Sequence, residues 1–452
     1  MISPRSPSLR FAATTGLGLA FLALGSAPGA GNDATPTQPN VVVIAIDTLR
    51  PDHLGLYGYP SETAPFLSAL GKESTVFRNA VSSSSWTAPA IASLFTGLYP
   101  TEHGVVRGFW FDQDRIRAEQ GRGAKKTIAM NALPKNVATL AEIFRAAGYR
   151  TFGLTANISI GPEIGFDRGF DRFARLNSVG REVYPEAEKL FNHLVTWIGE
   201  IRGASPYFLY LHFNDPHEPQ YRRQPWFGVP GREAGLPVQE YDSEISYVDS
   251  FLRRVDEFLV LRTAIAIVLS DHGQAFGEHG RLGHGPHTGL FGEVNRILLM
   301  MSAPALGARG RVVSATVSIV DVLPTLCELA GLPAPRAASG VSLVPLVRQE
   351  AAETKRFTQR ALFAHVVGKR LTTQAVFRGP WKLVRNENGA RLYDIARDPR
   401  EERDVAAAHR AIADELNRLL DQQPKAASTG ERVEVELDDE ELERLRTLGY
   451  AE

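Results

Sequence analysis

Strand-length apolar runs recur along this chain of 452 residues, and the strongest of them lead directly into acidic or imidazole side chains. Val41 to Ile46 ends at Asp47. Tyr207 to Phe213 contains His212 and leads into Asp215 and His217, while Ala264 to Leu269 passes through Ser270 to Asp271 and His272. With Ile297 to Met301 and a weaker run at Arg150 to Leu154, their length and β-branched content predict buried strands. Amphipathic segments of helix length separate them, at Asn136 to Ala147, Tyr184 to Ile201, Gln239 to Leu259 and Ser318 to Ala330, the first and last stopped by Gly148 and Gly331. This alternation predicts an α/β fold with a mainly parallel central sheet flanked by helices. Ligands bind beyond the carboxyl ends of the strands in open parallel sheets. One Asp or His at a strand end is an ordinary loop cap, but three such ends together can line one cation-binding pocket.

The two ends of the chain have a different texture. Arg5 and Arg10 precede the apolar stretch Phe11 to Leu24, and small residues follow, which is the order of a secretory signal. Residues 1–30 are therefore expected to be removed, with an uncut anchor as the alternative, and no stable membrane span should remain. The single cysteine, Cys327, allows no intramolecular disulfide; an exported chain of this kind suits a bacterial periplasm, or secretion. Cys327 sits among apolar residues at helical spacing and reads as a small buried hydrophobe. A formal net charge of −1 gives no basic footprint for nucleic acid. Residues 31–40 read as a linker and 41–350 as the main domain. Residues 351–452 read as a small α+β subdomain with a charged tail. Strands are expected at Ala375 to Val384 and Ala390 to Tyr393, and a helix at Ala406 to Leu420. The final amphipathic stretch, LERLRTLGY, is expected to dock on the body, and the polar insert Arg107 to Lys135 to be a solvated loop.

A nucleophile is available in SSSSWTAPAIASLFTGLYPTEHG. Thr87 opens a short helical stretch with Pro89 in its first turn and Gly97 after its end. Free backbone N–H groups and the helix dipole favour negative charge there. A hydroxyl at this point can become an alkoxide if a cation lies against it.

The ordered blocks VVVIAIDTLRPDHLGLYGY (41–59), TAPAIASLFTGLYP (87–100), His103-Gly104, HFNDPHEP (212–219), SDHGQAFGEHG (270–280) and FRGPWKLV with LYDIARDPREERDVA (377–406) resemble the sulfatase branch of the alkaline-phosphatase-like superfamily. The resemblance implies the sandwich of that superfamily, with a catalytic domain at 41–350, a small C-terminal subdomain, a divalent metal and an anionic ester substrate. On matching positions it implies that Asp47, Asp271, His272 and Thr87 hold the metal. His272 stands where many sulfatases have asparagine, and Asp47 is followed by Thr48 rather than a second aspartate. One carboxylate fewer and one imidazole more turn the expected metal from calcium to zinc or manganese. One ion is expected ahead of two, with Asp215 the candidate for a second.

Sulfatases carry Cys or Ser in a C/S-x-P-x-R motif and oxidise it to formylglycine. This chain has Thr87-Ala88-Pro89-Ala90-Ile91. Oxidised threonine would be a ketone, which hydrates far less than an aldehyde, and the motif arginine is missing. Thr87 is therefore expected to act as itself, as in the phospho-transferase and phosphodiesterase branches. The resemblance also places His217 and His284 near the scissile group, for leaving-group and anion-binding work, with His287 as the alternative to His284. Arg50 and Asp52 are expected to form a structural ion pair. The resulting expectation is a metal-dependent hydrolase or transferase for anionic esters of a small molecule, glycan or lipid head group, phosphoesters and phosphodiesters ahead of sulfate esters. A sulfuric ester hydrolase and a non-catalytic anion- or glycan-binding protein on the same fold are the alternatives.

Overall fold

The computed structural model describes residues 38–108, 111, 126–176, 186–229, 235–424 and 431–437. The signal-like segment, most of the linker, residues 112–125 of the polar insert and the LERLRTLGY end lie outside the described residues.

Val41–Ile46 has all six side chains buried. At roughly 1.5–3 kcal/mol for each large apolar side chain removed from water, such a run is stable only where both faces are covered, in the middle of a sheet. It pairs in parallel with Tyr207–Phe213 on one side and Ile265–Ser270 on the other. Arg150–Thr155 and Arg172–Arg175 continue the parallel array beyond Tyr207–Phe213. Beyond Ile265–Ser270 come antiparallel Leu299–Ser302 and then Thr75–Val81, which also takes Arg296–Ile297 and Arg311–Ser318, completing a nine-stranded sheet. Alternate residues face opposite ways. Val41, Val43 and Ala45 enter one core with Thr87–Thr96, Leu140–Ala146 and Val322–Leu329, where Cys327 is buried. Val42, Ile44 and Ile46 enter the other, under Ala187–Gly203 and Leu236–Leu259.

The C-terminal part is a four-stranded antiparallel sheet of Leu362–Val367, Thr372–Arg378, Trp381–Asn386 and Gly389–Asp394. Val376, Leu383 and Leu392 pack under Leu416 and Leu420 of the helix Arg410–Gln422, while Phe377, Val384 and Tyr393 join the main core. No helix among the described residues is long and apolar enough to cross a membrane.

Some elements differ from expectation. The polar insert is not all loop: Lys126–Asn131 is a strand, with Ile128, Ala129 and Met130 buried, and its antiparallel partner is Arg432–Leu437 from the tail. That pairing spans some three hundred residues of sequence, so local composition carries no trace of it. Ser318 ends a strand rather than starting a helix, which begins at Val322 after a 3-10 turn. The helix expected from Ala406 begins at Arg410. Thr75–Val81 was not anticipated because exposed Arg78 and Asn79 interrupt its apolar pattern.

Lys382, on the strand Trp381–Asn386 of the C-terminal sheet, is fully buried, with Nζ 2.8 Å from both carboxylate oxygens of Glu401, itself 4% exposed. Glu401→Gln would strand an ammonium in the core, a change that costs about 3–5 kcal/mol. A lower thermal midpoint and a lower urea midpoint are expected; unchanged midpoints would show that the pair does not hold the subdomain.

Candidate active site

Register brings the strand ends level. Ile46 lies opposite both Phe213 and Ser270, and Asp47 N–H donates to Phe213 O at 2.9 Å. Period-two alternation then sorts the side chains. Ala45, Tyr210 and Leu269 belong to the core that carries the helix Thr87–Thr96, so Asp47, His212 and Asp271, each two residues further on, fall on that helix's side of the sheet. Asp215 has the other parity. Its Oδ1 accepts from Ala187 N–H at 2.9 Å at the start of the helix on the opposite face, and Arg223 approaches at 4.0 Å. Asp215, the candidate for a second metal, is thus engaged away from Asp47.

Asp47, His212 and Asp271 each offer one ligand atom, all within 4.8 Å of one another and all buried. Asp47 Oδ1, Asp271 Oδ2 and His212 Nε2 have no hydrogen-bond partner. Sealed, unpartnered polar atoms are costly, and three of them converging on one point fit a cation. Burial first, and the Asp271 charge second, push the Asp47 carboxyl well above the ordinary carboxylate range. His272 borders the same group, with Nε2 3.4 Å from Asp47 Oδ1 and 3.5 Å from Asp271 Oδ2. Its Nδ1–H donates to Gly273 O at 3.0 Å, which leaves Nε2 as the electron-pair donor facing the carboxylates. His212 Nδ1 meets Tyr210 Oη at 2.9 Å, and burial lowers its pKa to about 4, so this imidazole is neutral.

Thr87 is the first helical residue after extended Trp86. Its Oγ1 lies 3.3 Å from His272 Nε2, 3.5 Å from Asp47 Oδ2 and 3.5 Å from Asn157 Nδ2. These are long contacts for hydroxyl hydrogen bonds. The oxygen is placed among ligand atoms without being spent on any of them.

Asn157 and Asn214 were not anticipated, since amides at strand ends carry no metal or nucleophile signal. Ser159 N–H donates to Asn157 Oδ1 at 2.7 Å, which fixes the amide so that Nδ2 donates to Asp47 Oδ2 at 2.6 Å and to Asn214 Oδ1 at 2.8 Å. Asn157→Ala would release Asp47 and lower kcat/KM and metal affinity by about 10- to 100-fold. Unchanged values of both would exclude this positioning role. His212, flagged only as a metal-capable residue inside its strand, joins Asp47 and Asp271 directly.

His217 and His284 stand together, ring centroids 4.6 Å apart, and His284 is 4.8 Å from His272. Burial first depresses both, so both are neutral. His217 Nδ1–H donates to Glu218 O at 2.6 Å and His284 Nδ1–H to Gln274 Oε1 at 3.1 Å. His287 points elsewhere: it is exposed, and its Nε2 meets Leu282 O at 3.0 Å. Asp47, His212, Asp271 and His272 are 0% exposed, whereas Thr87, Asn157, Asn214, His217 and His284 retain 3–5%. The first set is sealed from solvent, and the second group keeps slight contact with it.

The loop after Asp47 is strained. Thr48, a β-branched residue, has φ 54°. Tyr241 Oη clamps it, donating to Thr48 O and accepting from Arg50 N–H, both at 2.7 Å. Buried Arg50 pairs with Asp52 as expected, and also with Glu278, tying this loop to the one after Asp271.

Residues 39–332 match the Sulfatase family model, and residues 277–426 match the family described as N-sulphoglucosamine sulphohydrolase, C-terminal. The chain belongs to the sulfatase family. Sulfatase relatives include the Delta 4,5-hexuronate-2-O-sulfatase of Bacteroides thetaiotaomicron, 22% identical over 84% of this chain and 88% of that protein. Human N-acetylgalactosamine-6-sulfatase is 27% identical over 71% of this chain and 68% of its own. Among solved structures, the phosphonate monoester hydrolase of Agrobacterium radiobacter superposes with a TM-score of 0.65 at 20% identity, covering 85% of this chain and 95% of that one. A 2-O GAG sulfatase gives 0.66 at 20% identity, covering 85% and 91%. The fold is thus that of sulfatases, and the chain is a sulfatase-family hydrolase.

Proposed function

We propose that this sulfatase-family hydrolase cleaves phosphate esters, phosphodiesters foremost, with the Thr87 hydroxyl as nucleophile and a divalent cation held by Asp47, Asp271, His272 and His212 beside it. The observation that carries the proposal is Thr87 Oγ1 lying 3.3 Å from His272 Nε2 and 3.5 Å from Asp47 Oδ2, at the position where sulfatases need an oxidisable Cys or Ser. Two carboxylates and two imidazoles suit zinc or manganese better than calcium. The cluster of Asp47, His212 and Asp271 favours one ion.

When bound, the cation supplies Lewis-acid charge that lowers the pKa of an adjacent hydroxyl and balances charge on the ester. Thr87 Oγ attacks phosphorus as the P–O bond to the alkoxide breaks in line, and the hydroxyl proton passes through a neutral imidazole, His217 or His284, to the departing oxygen, giving a covalent phosphothreonine and a free alcohol. The N–H groups of Thr87 and Ala88, at the positive end of the helix, face the developing anion. Water or an acceptor alcohol then attacks the same phosphorus and restores the hydroxyl. In this second step the same imidazole takes the proton of the water or acceptor alcohol and returns it to Thr87 Oγ as the phosphothreonine P–O bond breaks. The signal-like residues 5–24 support export of the protein as part of this reading.

The second reading is sulfate-ester hydrolysis, favoured by the sulfatase names of the relatives. Turnover of an aryl sulfate, an aryl phosphate monoester and an aryl phosphodiester should be measured side by side. The phosphodiester is expected to give the highest kcat/KM, and a clear sulfate preference would overturn the proposal.

A further inference from the structure

We propose that Glu218 and Gln274 are positioning residues that act as a directional relay: they keep the hydrogen of His284 on Nδ1 and so hold its Nε2 electron pair ready for proton transfer at Thr87. The proposal rests on the phosphoester reading and deepens it. That reading needs a proton acceptor beside Thr87, and the relay decides which atom of His284 is one.

The direction begins at Glu218. A carboxylate has no hydrogen to give and can only accept. Glu218 Oε2 lies 3.0 Å from Gln274 Nε2, so the NH2 end of the amide faces it. Gln274 is 2% exposed, and its Oε1 is thereby turned to His284 Nδ1 at 3.1 Å. That oxygen in its turn can only accept, so Nδ1 carries the hydrogen, and a neutral imidazole with its hydrogen there has its electron pair at Nε2. Without the carboxylate the amide is free to turn over, present its NH2 to Nδ1 and send the hydrogen to Nε2. The charge of Glu218 acts in the same sense. Its Oε1 is 3.9 Å from His284 Nδ1, too far for a hydrogen bond but near enough to favour a hydrogen on that nitrogen over the other.

The backbone around the relay is shaped for these contacts. Gly283, just before His284, has φ 78°, and a methyl group on it would stand 3.0 Å from Glu218 Oε1. Glycine there lets the carboxylate approach the loop that carries His284. Gln274 is held from behind, its carbonyl accepting from Arg50 Nη1 at 2.9 Å, and Gln220 Nε2 donates to Pro216 O at 3.1 Å across the turn that carries Glu218. The main chain of Glu218 sets the other imidazole, accepting from His217 Nδ1–H at 2.6 Å. Both imidazoles thus carry their hydrogen on the same nitrogen. His217 owes this to a backbone carbonyl that no substitution removes, whereas His284 owes it to a side chain that can be changed.

Long-range proton–nitrogen correlation spectra of the full chain, with its histidines isotopically labelled in nitrogen, read the tautomer directly, and His284→Asn assigns the signals. In the wild type, His284 is expected to show Nδ1 in the range of a hydrogen-bearing nitrogen and Nε2 in the range of a bare one. In Glu218→Ala the two shifts should converge as both tautomers become populated. Glu218→Lys, whose ammonium can only donate, should carry them further in the same direction. The Glu218 side chain is 40% exposed, so both variants should fold with the melting temperature of the wild type. On an aryl phosphodiester, Glu218→Ala is expected to lower kcat about tenfold and to change KM by less than about twofold. A hydrogen on Nε2 of His284 in the wild type would overturn the proposal, as would spectra that neither variant moves or a kcat that Glu218→Ala leaves unaltered. Absence of phosphodiester turnover in the wild type would instead count against the function proposed for Thr87, while the spectra would still decide the relay.

Discussion

Thr87→Ala is expected to lower kcat/KM by about 10³-fold or more on every ester the wild type hydrolyses, with the far-ultraviolet spectrum and melting temperature close to those of the wild type. The two halves of this expectation have one origin. The Thr87 oxygen makes only contacts of 3.3–3.5 Å, too long to contribute much to folding, and the helix behind it keeps Ala88, Ile91 and Phe95 in the core. Removing the hydroxyl therefore costs little structure and all of the covalent pathway. Thr87→Ser keeps an alkoxide and should keep a measurable share of the rate. A brief reaction with an aryl phosphodiester, stopped by acid, should leave phosphate on the peptide containing Thr87. Full turnover in Thr87→Ala would sink the mechanism, and a phosphate on His217 or His284 instead would reassign the nucleophile.

The residues that announced themselves in the sequence did so through position and type together. Asp47, Asp271 and His272 stand at the ends of apolar runs, where a buried carboxylate or imidazole is conspicuous. Strand order was not legible. Val41–Ile46 lies between strands drawn from near residues 210 and 268, and only that arrangement sets Asp47 at the centre. Parity was readable in principle: Asp47, Asp271 and His212 share the phase of Ala45, Leu269 and Tyr210, whereas Asp215 does not. Asn157 and Asn214 were invisible because an amide matters here only for what it bonds: Asn157 donates to Asp47, and Asn214 accepts from Asn157. The strand pair Lys126–Asn131 and Arg432–Leu437 depends on contact between segments some three hundred residues apart, and a polar segment shows nothing of its distant partner.

Chelation is expected to abolish turnover, with zinc or manganese restoring it, and Asp271→Asn to abolish both turnover and stoichiometric metal binding. The same substitution should raise the melting temperature of the metal-free protein. Without a cation, two sealed carboxylates share one pocket with Asp47 already pushed well up by burial and by Asp271, so the native state carries an electrostatic cost that neutralising one partner relieves. With a cation bound only by the native state, stability should rise by about 2.7 kcal/mol at a hundredfold excess over Kd. The wild type should therefore melt below Asp271→Asn when stripped of metal and above it when loaded. That crossing separates a metal centre from a merely polar core: if metal leaves both melting temperatures unchanged, the unpartnered atoms of Asp47, His212 and Asp271 are not ligands. The crossing also follows from how catalytic centres are built, since the charges proposed to activate Thr87 are held together by the fold before any ligand arrives.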